Sequence, residues 1–215
     1  MTRRALSWIF LFMACMSITA CNAESIEEAS KPVDFSEPSV ASSPYSDYET
    51  LSNLATNTSI SVGMSKEEIE RVLGASSKSE QSGNVGEYWN TYGSGLVVNF
   101  KNNIAMSISV ERAAYGYVTK KGNIAIGDRV EEVRKQFGQE SIFLQGFNDL
   151  MYALTVRGDE VTTMKLPVES SADTSELMDA DMYVLEFRID DQKHVSKISL
   201  VAKEVYLQPD AMDHS

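Results

Sequence analysis

Apolar, acidic and glycine positions follow the same order in two stretches of the chain, residues 60–74 and residues 124–138. Each stretch has an isoleucine, a glycine three positions later, two adjacent glutamates and a closing glycine. The apolar residues between the glycines recur three and four positions apart, which predicts one amphipathic helix in each stretch. The pattern therefore predicts a repeated unit whose two short helices begin and end at equivalent positions.

Capping residues mark the start of both predicted helices. Ser65 is followed three positions later by Glu68, the pattern of a capping box, and Asp128 and Glu131 stand in the same relation. A catalytic carboxylate pair is the other interpretation of these glutamates, but capping explains why both copies place them at a helix start. Glycines are expected to form the turn before each helix and to end the helix: Gly63, Gly74, Gly127 and Gly138.

Alternating apolar and polar positions follow each helix and predict antiparallel strands joined by short turns. The pairs Asn102–Asn103 and Asp190–Asp191 are expected to occupy equivalent turns. The predicted strands cover residues 87–92, 96–100 and 104–110 in the first half and residues 151–156, 183–189 and 195–201 in the second half.

The series I-x-x-G-M-S-x-x-E-I-x-x-x-L-G, Y-W-x-x-Y and G-L-x-V-x-F-x-x-x-x-I resembles the BamE/SmpA superfamily module, and two tandem copies resemble the β-lactamase inhibitory protein fold. The resemblance implies an α+β fold: two tandem helix-plus-antiparallel-sheet repeats forming one continuous sheet with helices on one face. The first repeat is assigned to residues 59–112. The second is assigned to residues 113–206, with an acidic insert near residues 157–182 and a disordered tail at residues 207–215.

The N-terminal segment, residues 1–20, has the composition of a secretory signal. Arg3 and Arg4 precede an apolar run that is too short to span a bilayer comfortably. The run ends in Ile-Thr-Ala-Cys21, which resembles the lipobox of bacterial lipoproteins. The resemblance implies cleavage before Cys21 and lipidation of its thiol. Asn22 then favours the outer membrane of a Gram-negative bacterium, and an ordinary signal peptide is the alternative.

Residues 21–58 are rich in serine, alanine, glutamate and proline, and no helical or strand period persists in them. Such a segment buries too little apolar surface to offset the entropy of ordering it. The composition predicts a flexible acidic tether. Its scattered apolar residues are either a partner-docking motif or parts of a sticky linker: Phe35, Tyr45, Tyr48 and Leu51.

Composition argues against several kinds of function for this chain. The chain has 19 basic and 31 acidic residues, a net charge of −12, which argues against nucleic-acid binding. Cys15 leaves with the signal and Cys21 takes the lipid, so we expect no thiolate chemistry. The two histidines, His194 and His214, have no recognisable nucleophile beside them. We therefore expect no catalysis, no cofactor and no metal, although the oxygen-rich acidic insert leaves cation binding as an alternative.

Aromatic residues are the candidate partner-binding groups, because tyrosine and tryptophan are enriched at interface hot spots. Tyr88 and Tyr92 are expected to share one face of their strand, with Trp89 on the other face and in the core. Tyr115 and Tyr117 lie between the two repeats. Cross-strand packing within the core is the alternative for all four tyrosines.

The sequence thus predicts a lipid-anchored, non-catalytic module for protein binding or envelope assembly. Its expected location is the periplasmic face of the outer membrane, by resemblance to BamE. Two alternatives stay open at this point. One is a protein inhibitor of a hydrolase, by resemblance to the inhibitory fold, and the other is a lipoprotein that binds a small ligand or a cation.

Overall fold

The computed structural model describes residues 45–82, 85–93, 95–113, 116–144, 148–157, 160–165 and 182–206. These residues fall within one compact unit of the chain, residues 41–215. Most of the chain in these ranges is β-structure arranged in two sheets. Cys21, Tyr115, residues 21–44, residues 166–181 and the tail at 207–215 lie outside the described residues.

The large sheet contains nine strands, and every neighbouring pair is antiparallel. Its order is β10-β9-β11-β12-β6-β5-β4-β3, with β8 paired to β9. The strands are β3 Lys78–Gln81, β4 Glu87–Tyr92, β5 Leu96–Lys101, β6 Ile104–Val110, β8 Ile142–Leu144, β9 Asp149–Arg157, β10 Glu160–Met164, β11 Met182–Ile189 and β12 Val195–Ala202.

The small sheet has the order β2-β1-β7 and is also antiparallel. Its strands are β1 Thr50–Asn53, β2 Thr58–Ser61 and β7 Tyr117–Thr119. The helices of the described ranges are α1 Lys66–Leu73, α2 Val130–Phe137 and α3 Lys203–Tyr206. No helix in these ranges is both long enough and apolar enough to cross a membrane.

The predicted fold class, α+β with two tandem helix-plus-antiparallel-sheet repeats, is wrong. The part of the chain that the structure describes is mostly β, with a large antiparallel sheet and three short helices. The two helical patterns each produce eight residues of helix, about two turns. Strands with little apolar alternation escaped the pattern, and the edge strand β3, whose four residues are all exposed, is the clearest example.

The predicted tether is wrong in its C-terminal part. Residues 50–53 form β1, and Tyr45 and Leu51 are buried in the core. The Val156 N–H donates a hydrogen bond to the Tyr45 hydroxyl at 3.1 Å, and the Tyr45 and Tyr183 rings lie 4.8 Å apart. Partners more than a hundred residues away therefore order this segment, and composition alone does not reveal them.

The segment near residues 157–182, predicted as an acidic insert, contains a strand, because residues 160–164 are β10. This strand pairs with β9 from Glu160 opposite Arg157 to Met164 opposite Ala153. Alternation over these residues is weak, since Thr162 and Thr163 interrupt it. Pairing with the long strand β9, rather than an apolar pattern of its own, explains why this segment is a strand.

The first helix begins as predicted. Ser65 accepts a hydrogen bond from the Glu68 N–H, and the Glu68 carboxylate accepts one from the Ser65 N–H at 2.8 Å. These bonds from Ser65 hold the pKa of Glu68 below its usual range. Gly74 and Gly138 end the two helices with φ of 80° and 79°, which confirms both C-terminal stops.

The second capping box is wrong. The N-cap of α2 is Arg129, whose side chain makes no capping bond. Because the helix begins one residue later than predicted, Glu131 falls one position short of the third helical residue that a capping box requires. Asp128 instead accepts a hydrogen bond from the Ala125 N–H at 2.8 Å, which closes the turn before the helix.

Equivalent backbone bonds tie the two glycine turns to the sheet. The Gly63 N–H donates to the Ala105 carbonyl at the start of β6, and the Gly127 N–H donates to the Val195 carbonyl at the start of β12, both at 2.8 Å. Gly63 and Gly127 have φ of 88° and 96°, as the sequence predicts. Each turn therefore holds its helix against the last strand of one half of the large sheet.

One hydrophobic core joins the small sheet, α1, α2 and one face of the large sheet. Its centre contains aromatic residues of β9, β11 and α2, whose rings are 5.4 to 6.0 Å apart. The fully buried residues of this core include Leu51, Ile60, Ile69, Leu96, Val98, Ile108, Val133, Leu150, Tyr152, Phe187 and Ile198.

Candidate interaction face

Two of the predicted partner-binding tyrosines belong to the core. Tyr92 is 3% exposed and Tyr117 is 6% exposed. Burial raises the pKa of both phenols, against hydrogen bonds to Asn90 and Thr58 that lower the pKa. Neither residue has enough exposed surface to contact a partner, so core packing, the alternative considered from the sequence, describes both.

Tyr88 and Trp89 are exposed, by 42% and 37%. The placement of Trp89 in the core is therefore wrong. Successive residues of a strand point to opposite faces, so Tyr88 lies on the face of Tyr92 and Trp89 lies on the other face. Tyr88 and Tyr92 share a face as predicted, but of the three candidate tyrosines that the structure describes only Tyr88 is exposed.

The face that carries Trp89 is the candidate interaction face, and we call it the polar face. Antiparallel pairing lines up its side chains in three rows across the large sheet. The first row contains Thr91, Val97, Ser109, Ser199, Glu186 and Met151. The second contains Trp89, Asn99, Ser107, Val201, Val184 and Ala153, and the third contains Lys197, Arg188 and Asp149.

Small polar side chains occupy the middle of the polar face. Ser107 and Ser109 on β6, Ser199 on β12 and Asn99 on β5 lie between the larger residues of the outer strands. The Ser109 hydroxyl donates to the Ser199 hydroxyl at 3.2 Å, across the contact between the two halves of the sheet. Together they form a polar strip along β6 and β12, which we call the trough, with Trp89 on one side. Asn99, Ser107 and Ser199 within it are buried.

Charged side chains form the other side of the trough. The Arg188 guanidinium binds both oxygens of Asp149, with Nε–Oδ1 at 3.0 Å and Nη2–Oδ2 at 3.2 Å. The Asp149 bond raises the pKa of Arg188, which is charged at any physiological pH. Lys197 lies 3.4 Å from the Glu111 carboxylate. Burial and the neighbouring Asp149 raise the pKa of Glu186.

An apolar cluster continues the polar face beyond the charged side chains. Its buried members are Met151, Ala153, Met182 and Val184. Partly buried residues pack against it, including Ile142, Met164 and Val201. The face therefore changes along the sheet from apolar through charged and small polar side chains to an exposed tryptophan.

These side chains suit binding better than covalent chemistry. His194 lies at the predicted turn between β11 and β12, with Nδ1 3.9 Å from the Asp190 carboxylate. Among the residues that the structure describes, no group of three or more His, Cys, Asp or Glu side chains is arranged to hold a metal ion. The polar face instead offers hydroxyl, amide and charged groups beside an exposed indole.

The trough could not be predicted from local sequence, because the trough depends on the pairing of β6 with β12. Ser109 and Ser199 are 90 residues apart in the chain. One local signal was available, since β6 places Ser107 and Ser109 at alternate positions between buried apolar residues. Serine is not favoured on a sheet face for its packing, so this alternation indicated a polar face opposite the core.

No family model matches the sequence, and no curated protein matches it. The solved structures that are similar to this chain include a cysteine-rich secretory protein from Staphylococcus aureus, with 12% identity over 66% of this chain and a TM-score of 0.40. An extracellular protein containing an SCP domain from Bacillus anthracis has 15% identity over 70% of this chain and a TM-score of 0.43. This chain spans 45% and 51% of those two chains.

Proposed function

We propose that the protein is a lipid-anchored, non-catalytic module that binds a protein partner of the bacterial envelope through the polar face. The observation that carries the proposal is the polar trough, with exposed Trp89 on one side and Glu186 and Arg188 on the other. Tryptophan and arginine are enriched among residues that dominate protein interfaces. A membrane anchor at Cys21 and a location at the outer membrane belong to the same proposal.

The exposed side chains of the polar face suit a protein partner. The longest rows of the face cross six strands, which span about 24 Å at about 4.8 Å spacing. Asn99, Ser107 and Ser199 are only 3%, 5% and 4% exposed, so the proposed contact with a partner is assigned to Trp89 and to the charged side chains.

Site-specific photocrosslinking in native envelopes tests the proposal. A photoreactive amino acid replaces Trp89 on the polar face in the full-length lipidated protein, and a second protein carries it at Glu67, an exposed position on α1. We expect one crosslinked partner species from position 89 and none from position 67. Adding Ser109→Arg, which fills the trough, should abolish the crosslink, since interfaces tolerate poorly a bulky charge at their centre.

Two outcomes would contradict the proposal. Equal crosslinking from positions 89 and 67 would indicate nonspecific contact, and crosslinking that survives Ser109→Arg would place the contact outside the trough. Urea unfolding of the Ser109→Arg variant, without the photoreactive residue, checks that the sheet is intact. Cys21→Ser separates the anchor from the interface. We expect this variant to be released from the membrane fraction. We also expect it to keep its photocrosslink when it is mixed with the partner in solution.

A further inference from the structure

Strands β9, β11 and β12 bring five charged side chains together at one end of the polar face. Arg188 lies directly opposite Asp149 on one side and opposite Lys197 on the other. Glu186 lies two residues before Arg188 on the same face of β11, and Glu111 follows β6. The group holds three carboxylates and two cations, so one carboxylate has no cation of its own.

Distances identify which carboxylate this is. The Nε and Nη2 atoms of Arg188 are within 3.2 Å of the two carboxylate oxygens of Asp149. Lys197 contacts Glu111 at 3.4 Å. Glu186 is 4.0 Å from the same Arg188 nitrogen that already binds Asp149. Glu186 is therefore the least compensated carboxylate of the group.

The surroundings of Glu186 offer little solvation to a negative charge. Its side chain is 20% exposed, and the residues directly opposite it on the neighbouring strands are Met151 and Ser199. Asp149 lies on the same face of the sheet, opposite Arg188, and its negative charge disfavours a second charge on Glu186.

We propose that Glu186 takes up a proton beside the Asp149–Arg188 ion pair and makes the junction of β9 and β11 respond to pH. In acidic solution Glu186 is protonated and adds no charge to the group. When Glu186 ionises, it and Asp149 present two negative charges to one guanidinium. This inference concerns the stability of the fold and is independent of the proposed partner.

The pKa of Glu186 supports the geometry. Burial raises this pKa most and Asp149 raises it further, while Lys197 and Arg188 lower it. A glutamate whose pKa is raised in the folded state binds its proton more tightly there than in the unfolded chain. Its contribution to stability is therefore present at acidic pH and is lost as the pH rises from the unfolded pKa through the folded pKa.

Urea unfolding of the full chain as a function of pH tests the proposal. We expect the unfolding constant of the wild type, relative to that of Glu186→Gln, to increase by up to about tenfold per pH unit between the unfolded and folded pKa values. The matched control is Glu160→Gln, an exposed glutamate at the start of β10. The same pH dependence in Glu160→Gln would show that the effect does not belong to Glu186, and would overturn the proposal.

Carbon-detected NMR of the side-chain carboxyls gives a second readout that does not require a stable variant. Glu186 should titrate at a higher pH than the glutamate of an unstructured peptide in the same buffer. Asp149→Asn removes the neighbouring charge and frees Arg188, so the Glu186 midpoint should move to lower pH. A Glu186 midpoint at or below that of the peptide, or a pH-independent ratio between the wild type and Glu186→Gln, would overturn the proposal.

Discussion

Tyr45 fastens the N-terminal end of the described chain to the core, and its removal is the most direct test of the fold. The side chain is 1% exposed, packs against the Tyr183 ring and accepts a hydrogen bond from the Val156 N–H at 3.1 Å. Tyr45→Phe keeps the ring and leaves that half-buried N–H without this acceptor, which costs about 0.5–1.5 kcal/mol. Tyr45→Ala also leaves a cavity, and such truncations of large buried aromatics cost about 3–5 kcal/mol.

Urea unfolding followed by tryptophan fluorescence measures both effects. Trp8 lies within residues 1–20, so a protein processed at Cys21 contains Trp89 as its single tryptophan. Tyr88→Phe is the matched control, because Tyr88 is 42% exposed, and we expect a change within about 0.5 kcal/mol. If both Tyr45 variants also remain within about 0.5 kcal/mol of the wild type, residues 45–53 are not part of the cooperative fold.

Two further predictions concern the helices and their turns. Ser65→Ala removes the capping bond of α1 and should lower the free energy of unfolding by about 1 kcal/mol. Arg129→Ala should lower it less, because Arg129 makes no capping bond at α2. Equal losses in urea titrations of the two variants would refute this difference. Gly122 and Gly63 both have positive φ, but an added Cβ would lie 2.8 Å from Gln136 at Gly122 and would have nothing within 4 Å at Gly63. Gly122→Ala should therefore lower the thermal midpoint more than Gly63→Ala. The reverse order would show that Gln136 moves aside freely.

Local patterns predicted the local structure well. The strand at residues 87–92 and the strand at residues 104–110 begin and end where the sequence places them. Asn102 and Asn103 form the predicted turn, with φ of 51° and 64°. In each case the signal lies within a few residues: an alternation for the strand, and an asparagine pair that tolerates positive φ for the turn.

Long-range pairing was not predictable in the same way. β1 has a polar sequence and is a strand because it pairs with both β2 and β7. Trp89 was expected in the core, yet it points away from the core because Tyr92, at an alternate position of the same strand, packs into it. The polar face needed the pairing of β6 with β12, and no short-range pattern specifies a partner strand 90 residues away.

The central position of that pairing also has a consequence for how the protein is made. β6 carries buried Ile108 and Val110, and its free side is covered only by β12, from Ser107 opposite Val201 to Val110 opposite Ile198. Until β12 pairs with it, β6 leaves a row of backbone N–H and C=O groups without strand partners, which is a template for wrong strands from neighbouring chains. Pairing of β12 with β6 is therefore the step that closes the large sheet against such contacts.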